Sequence, residues 1–189
     1  MQLTENTLSE VEQQRLLALA RAALEARVRR EPTPDVPHGG ALDWPCGAFV
    51  TIHYRGDLRG CLGRIDVDAP LADTIAHLGG VVADSDPRFH AVRPSELPDI
   101  DIEISVLTPE REVASIDEIE IGRHGVIIEQ GHRRGLLLPQ VASEYGWDRA
   151  TFLDHACRKA SLPADAWRTG AKIFVFEAQV FGEVTGSRL

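Results

Sequence analysis

The sequence lacks the long apolar segments of membrane and secreted proteins. In 189 residues no uninterrupted hydrophobic run approaches the roughly 20 residues that a membrane-spanning helix needs. The opening MQLTENTLSE has neither the basic nor the apolar region of a signal peptide. A hydrophobic content of 43% with 26% charged residues is typical of a globular chain. We therefore expect a cytoplasmic protein with no membrane partner.

Positive charge is scarce. Lys and Arg together number 20 against 29 Asp and Glu, which gives a formal net charge of −9, and the longest basic runs are pairs. Such a chain repels a phosphate backbone unless it gathers a basic patch. We therefore expect no nucleic-acid partner, and we rank nucleic-acid regulation below the functions considered next.

Several well-known site motifs are also missing. The three cysteines are widely spaced and form no C-x-x-C pair, which argues against a disulfide framework or a zinc knuckle. The sequence contains no H-E-x-x-H, no phosphate-binding glycine loop and no G-x-S-x-G. We therefore expect free thiols, no metal site and no cofactor.

Helical and extended periodicities are interspersed along the chain. An S-x-x-E capping box at Ser9 begins an amphipathic helix that runs through Arg30. Alternating patterns predict further strands, at Ala48 to Arg55, from Leu58, at Asp99 to Leu107, in a hairpin of Val126 to Gln130 with Gly135 to Leu138, and at Lys172 to Val184.

These patterns predict an α+β fold with a mainly antiparallel sheet and flanking helices. We expect one domain over 1–189, in which 1–47 form the N-terminal helix and a Pro/Gly-rich linker and 48–184 form the core. Helices are predicted near Pro70, after Pro139 and from an Asp148 cap.

The segment Leu58 to Arg64 carries the best candidate for covalent chemistry. Gly60 and Gly63 bracket Cys61 just after a predicted tight turn, and glycine permits a positive φ or the close approach of another group. Arg59 and Arg64 place positive charge near the thiol, which would favour the nucleophilic thiolate. The alternative is a structural cysteine that acts as a small apolar filler in a glycine-tightened turn.

Four other residues are candidates for the same site. Glu103 lies on the polar face of the predicted strand Asp99 to Leu107 and would serve either a pocket or a solvated edge. His124, at a turn, would act as a general base for Cys61 or would cap a backbone carbonyl. Asp86 and Arg88 would position a carboxylate or phosphate, or would form a local ion pair in a turn.

The motifs together resemble the AMMECR-type domain family. Leu58 to Gly63 matches the family's L-R-G-C-I-G hexapeptide, with Leu62 in place of Ile. Further matches follow in the family's order, at D-P-R-F (86–89), E-I-S-V-L-T-P (103–109), H-G (124–125), L-P-Q-V-A (138–142), G-W (146–147) and C-R-K-A (157–160). His90 and Ser161 depart from the usual Pro and Gly, which affects only local loop shape.

The resemblance implies a fold of two subdomains with the cysteine hexapeptide near their junction. It also implies a setting, because many microbial members are encoded beside, or fused to, a Memo-type protein and a radical SAM protein, in the AmmeMemoRadiSam system. It implies no particular reaction.

The sequence thus supports two functions of different class. In the first, a thiol-centred enzyme or enzyme component works with Memo-type and radical SAM proteins in a modification pathway, on a small, anionic molecule held between subdomains or on a protein. Its catalytic residues would be Cys61, His124 and Glu103, and its substrate-binding residues would be Arg59, Gly60, Gly63, Arg64, Asp86 and Arg88. In the second, a non-catalytic binding or adaptor module uses the R-G-C-L-G segment as a structural corner.

Overall fold

The computed structural model describes residues 7–65 and 68–183, which fold into two compact units. The first contains the described residues up to 107 together with 179–183, and the second contains 108–178. The helices are α1 (Glu10–Arg29), α2 (Leu71–Val81), α3 (Pro139–Tyr145) and α4 (Arg149–Lys159). The strands are β1 (Ala48–Tyr54), β2 (Asp57–Arg64), β3 (Ile100–Leu107), β4 (Arg111–Glu112), β5 (Gly125–Gln130), β6 (Arg133–Leu137), β7 (Lys172–Phe176) and β8 (Ala178–Gly182). The prediction of an α+β fold is confirmed.

The first unit is a four-stranded sheet in the order β2-β1-β3-β8, with α1 and α2 packed on one face. β1 pairs antiparallel with both β2 and β3. Successive side chains of a strand point to opposite faces, so Val50 and Ile52 of β1 are buried against the helices while the residues between them face away. Each fully buried Ile or Leu contributes about 1.5–3 kcal/mol through removal of apolar surface from water.

Specific residues explain where α1 begins and how closely α1 and α2 cross. Ser9 and Glu12 form the predicted capping box at the start of α1. At the crossing, Gly79 of α2 lies so close to α1 that an added Cβ would be 2.9 Å from the Cα and from the carbonyl oxygen of Ala20. Glycine is therefore required there for space rather than for backbone freedom.

The second unit is a four-stranded sheet in the order β4-β7-β5-β6, with a core that includes residues of α3 and α4. β5 pairs antiparallel with β6 and with β7. The predicted hairpin is confirmed, although β6 begins at Arg133, so the turn is shorter than expected and has Gly131 at φ 63°. Asp148 caps α4 through a hydrogen bond from the Thr151 amide, as predicted.

The expected final strand from Lys172 to Val184 is wrong, because within the described residues this segment is two strands in different sheets. β7 belongs to the second unit's sheet and β8 to that of the first. The break falls at Glu177, whose amide donates to Thr108 Oγ1 at 2.8 Å and whose carbonyl accepts from the Thr108 amide at 2.8 Å. The alternating side-chain pattern continues across the break, so the sequence alone does not reveal a change of partner.

The helix crossing provides a matched pair of substitutions. We expect Gly79→Ala to lower the free energy of unfolding by about 1–3 kcal/mol, because the added methyl group meets backbone atoms that cannot move independently. Gly80→Ala should instead leave stability unchanged or raise it by up to about 1 kcal/mol, since its Cβ would be 3.8 Å from the nearest atom and alanine favours helix. Urea denaturation of the two variants measures the difference, and equal effects would contradict the close crossing.

Candidate functional site

The cysteine hexapeptide lies within the edge strand β2, as predicted for the extended segment from Leu58, and not in the glycine-tightened turn of the structural alternative. Neither Gly60 nor Gly63 has a positive φ. Their role is close approach, because an added Cβ would be 2.1 Å from the Phe49 ring at Gly63 and 3.1 Å from the Val82 carbonyl oxygen at Gly60. The aromatic ring of Phe49 therefore occupies the space that a side chain at 63 would fill. Substrate binding by the two glycines stays a prediction.

Cys61, Thr51 and Glu103 form a row across the face of the first sheet that points away from the helices. Thr51 is the direct register partner of Cys61 on one side and of Glu103 on the other. Residues directly opposite each other in antiparallel strands place their side chains on the same face. The Thr51 hydroxyl donates to Cys61 Sγ at 3.2 Å, and the thiol is half-buried. We call these three residues the thiol row.

Asp86 holds the backbone of Cys61 in place. Its carboxylate is only 4% exposed and accepts from the Cys61 amide at 2.9 Å. The same carboxylate accepts from the Arg88 amide at 3.1 Å and from the Arg88 guanidinium at 2.7 and 3.0 Å. The guanidinium is the main reason that the pKa of Asp86 lies well below its usual range, with a smaller contribution from the Cys61 amide, and burial opposes both. Asp86 is therefore a positioning residue for the edge strand.

Arg88 is bound chiefly to Asp86 and has only a minor electrostatic interaction with Cys61. Its pKa is raised chiefly by the hydrogen bond to Asp86, and a negative charge on Cys61 adds a smaller contribution. The sequence predicted that Arg59 and Arg64 would place positive charge near the thiol.

Both of those arginines have carboxylate partners of their own. Arg59 pairs with Glu96 at 2.9 Å and donates to the His90 carbonyl at 2.9 Å. Arg64 pairs with Asp68 at 2.8 Å. Each charge is therefore compensated locally. Their proposed roles in thiol activation and substrate binding stay predictions.

His124 lies in the second unit, where its contacts are local. The imidazole is 7% exposed, and Nδ1 accepts from the Glu120 amide at 3.0 Å. Nε2 lies 3.9 Å from the Glu177 carboxylate. These contacts give His124 a role in shaping its own loop. The sequence analysis considered a cap on a backbone carbonyl, whereas the imidazole accepts from a backbone amide. Its role as a general base stays a prediction.

The other two cysteines are poorly suited to chemistry. Cys46 and Cys157 are buried, at 7% and 0% exposed. Burial raises the pKa of Cys46 to about 11 and also raises that of Cys157. Over 7–65 and 68–183, no group of three or more His, Cys, Asp or Glu side chains is arranged to hold a metal ion. Over the same residues, no helix is long and apolar enough to cross a membrane.

A hollow of about 490 Å³ lies elsewhere in the first unit, between the end of α1 and α2. Its charged lining includes Arg27 and Asp84, which pair with each other at 2.8 Å. None of the predicted site residues lines it.

Thr51 belongs to the thiol row but was not predicted from the sequence, because a strand's alternation gives the face of a residue and not its cross-strand partner.

The burial of the three cysteines predicts selective alkylation. In the native protein at pH 7.5, iodoacetamide should modify Cys61 at least about tenfold faster than Cys46 or Cys157, because only a thiolate reacts and burial keeps those two thiols protonated. Peptide mass spectrometry after timed quenching measures all three rates in one sample. Equal rates, or labelling of Cys61 only in denaturant, would contradict the placement of Cys61.

The buried Asp86 carboxylate predicts a pH dependence of stability. Since its pKa is lower in the folded than in the unfolded state, its contribution is complete above the unfolded value of about 3.9 and is lost as pH falls toward the folded value. Asp86→Asn should lower the free energy of unfolding at pH 7 by about 1–3 kcal/mol and flatten its decline below pH 4. Asp35→Asn, at an exposed position, is the control. An unchanged acid profile in Asp86→Asn would contradict the assignment.

Comparison with known proteins gives relatives that match most of the chain. A protein of Methanosarcina barkeri is 42% identical over 186 residues, covering 93% of this chain and 92% of its own length. A protein of Methanopyrus kandleri is 48% identical over 147 residues, covering 72% and 71%.

The fold and a family model agree with these relatives. The crystal structure of an uncharacterised Pyrococcus horikoshii protein superposes with a TM-score of 0.80 at 35% identity, covering 89% of both chains. The AMMECR1 family model matches residues 17–181, which include the greater part of α1, the hexapeptide strand and nearly all of both sheets. On this evidence the chain belongs to the AMMECR1 family.

Proposed function

We propose that this protein is a thiol-centred enzyme, or a component of one, in which Cys61 acts as a nucleophile or a covalent carrier. The observation that carries the proposal is the contrast among the cysteines. Two are buried, whereas Cys61 is half-buried on the sheet face away from the helices, with its sulfur hydrogen-bonded by Thr51 and its amide held by Asp86.

The chemistry available at the thiol row is nucleophilic substitution or addition. The Cys61 thiolate forms a bond to an electrophilic carbon or sulfur. In a substitution the electron pair of the broken bond leaves with the departing group, and in an addition the π pair moves to the other atom of the double bond, which then takes a proton. The Thr51 hydroxyl stabilises negative charge on the sulfur before attack. Glu103, two strands from Cys61 in the same row, and His124 are the two candidates for the base that takes the thiol proton.

The family resemblance supports the wider setting. We place the protein in the cytoplasm, in a modification pathway shared with Memo-type and radical SAM proteins, with a small molecule or a protein as substrate. No nucleic acid, membrane, metal or cofactor is required by this scheme.

A binding or adaptor module is the second candidate, and the packing of the hexapeptide favours it. Gly63 makes room for Phe49, Gly60 makes room for Val82, and the Cys61 amide satisfies the buried Asp86. These contacts would explain the hexapeptide without chemistry. The two functions differ in what they require of the sulfur atom itself.

Substitution of that sulfur tests the proposal. The protein is co-expressed with the Memo-type and radical SAM proteins of its host, purified, and measured by intact mass spectrometry. We expect a covalent adduct that maps to Cys61, is absent from Cys61→Ser and persists in Cys46→Ser. The adaptor is favoured if the unsubstituted protein carries no adduct on Cys61 and the Cys61→Ser variant keeps its melting temperature and still supports the host pathway.

The Thr51 hydroxyl should increase the reactivity of the thiol. Thr51→Val removes the donor at nearly constant volume, and we expect the alkylation rate of Cys61 at pH 7.5 to fall by about threefold to tenfold, equivalent to one hydrogen bond of about 1 kcal/mol. Thr51→Ser keeps the hydroxyl and should keep most of the rate. Equal slowing in both variants would mean that packing, and not the hydrogen bond, controls the thiol.

A further inference from the structure

His53 lies on the sheet face that carries the thiol row. It follows Thr51 by two positions on β1, so both side chains point away from the helices. Cys61, opposite Thr51 on β2, is therefore a diagonal cross-strand neighbour of His53. Diagonal neighbours lie about 7–8 Å apart, which is within reach of a long or aromatic side chain. The register thus brings an imidazole beside the thiol.

A β-bulge lies at the same level of the sheet. The pairing of β1 with β2 shifts between Ile52 and His53, which leaves Arg59 of β2 without a register partner. Arg59 is an ionisable neighbour of His53, and its charge is compensated by Glu96. Bulges redirect the side chains around them and are common next to active sites. The strand that carries Cys61 is therefore irregular at the point where it passes the imidazole.

A carboxylate lies on the other side of the imidazole. Asp101 of β3 is the direct register partner of His53, so the two side chains are neighbours on one face. Both are half-buried, and neither has a hydrogen bond or an ion pair to any residue in the described part of the chain. Their polar atoms are therefore not committed to holding the fold. A base between a nucleophile and a carboxylate is the arrangement of a catalytic triad.

The two bases already considered are less well placed than His53. Glu103 is two strands from Cys61, a distance of about 10 Å, with Thr51 between them. His124 lies in the second unit, where its Nδ1 already accepts from a backbone amide. An imidazole accepts a proton in the physiological pH range. His53 combines that chemistry with a position on the strand next to the thiol.

We infer that His53 is the base that takes the thiol proton and that Asp101 positions its imidazole. The inference rests on the proposed function of Cys61 and replaces Glu103 and His124 in the role of base. The proton moves from Sγ to an imidazole nitrogen, and the electron pair of the S–H bond stays on the sulfur. The Asp101 carboxylate then balances the charge of the imidazolium. The imidazole and the sulfur are not hydrogen-bonded in the structure, so rotation of the imidazole side chain precedes the transfer.

The pH profile of alkylation tests the inference in the whole protein. The rate constant for iodoacetamide at Cys61 is measured at pH 7 and at pH 9 by peptide mass spectrometry. Few ordinary thiols are ionised at pH 7, so we expect His53→Gln to lower the ratio of the pH 7 rate to the pH 9 rate by about tenfold. The rate at pH 9 should stay within about twofold, because a thiol ionises there without a base. Asp101→Asn should lower the ratio by about threefold, because the imidazole is kept and only its positioning is lost.

Control variants exclude less specific causes. His77→Gln makes the same change at an exposed position on α2, and Asp35→Asn removes one negative charge at an exposed position. Both should keep the ratio of the unsubstituted protein. His53→Asn is a second replacement of the imidazole and should match His53→Gln. Melting temperatures show that each variant is folded.

The outcomes separate this inference from the proposed function. An unchanged ratio in His53→Gln or in Asp101→Asn would overturn the inference while the reactive thiol stands. Equal slowing of His53→Gln at both pH values would also overturn it, because a loss of packing affects the thiol at every pH. A ratio that falls as far in His77→Gln would do the same. If Cys61 is alkylated at neither pH in the folded protein, both the inference and the proposed function fail.

Discussion

The site depends on the register in which β1 pairs with β2 and β3. Thr51 faces Cys61 on one side and Glu103 on the other. Because side chains alternate along a strand, a slip of one residue in β2 would move the thiol to the core face and bring Gly60 or Leu62 outward. The register of β2 is held by apolar burial on the inner face, by the Phe49 ring over Gly63 and by the Asp86 bond to the Cys61 amide. Only then do Thr51 and Glu103 share a face with the thiol.

The hexapeptide therefore has two kinds of requirement at once. Its glycines satisfy packing, since one lies under an aromatic ring and the other against the end of α2. Its cysteine satisfies no packing requirement of that kind, because it points to the half-exposed face and accepts a hydrogen bond there. Arg59 anchors the strand to the loop that contains His90 and Glu96. A site built on a strand with such supports holds its reactive atom more firmly than a loop would.

Local signals in the sequence predicted much of the fold. The capping box at Ser9, the alternation through β3 and the β5–β6 hairpin depend on residues a few positions apart, and all three are confirmed. Features that depend on distant residues were not predictable. Arg59 pairs with Glu96, which is 37 positions away in the sequence. The segment after Lys172 passes from one sheet to the other at Glu177.

The candidate site follows the same division between local and distant features. The hexapeptide identified Cys61, and strand alternation placed Glu103 on an outward face. Thr51, the charge state of the arginines and the buried Ser105 follow only from register and tertiary contacts. Alternation gives the face on which Ser105 lies but not its burial, and Ser105 is 3% exposed.

The central claim is that the fold makes Cys61 more reactive than the unfolded chain does. The most direct measurement is the second-order rate constant for iodoacetamide at Cys61 in native protein, set against the same cysteine in 8 M urea at the same pH. The account predicts a faster rate in the native state, because the Thr51 hydroxyl donates a hydrogen bond to the sulfur there. A native rate at or below the unfolded one would show that the fold protects the thiol, and Cys61 would then be structural.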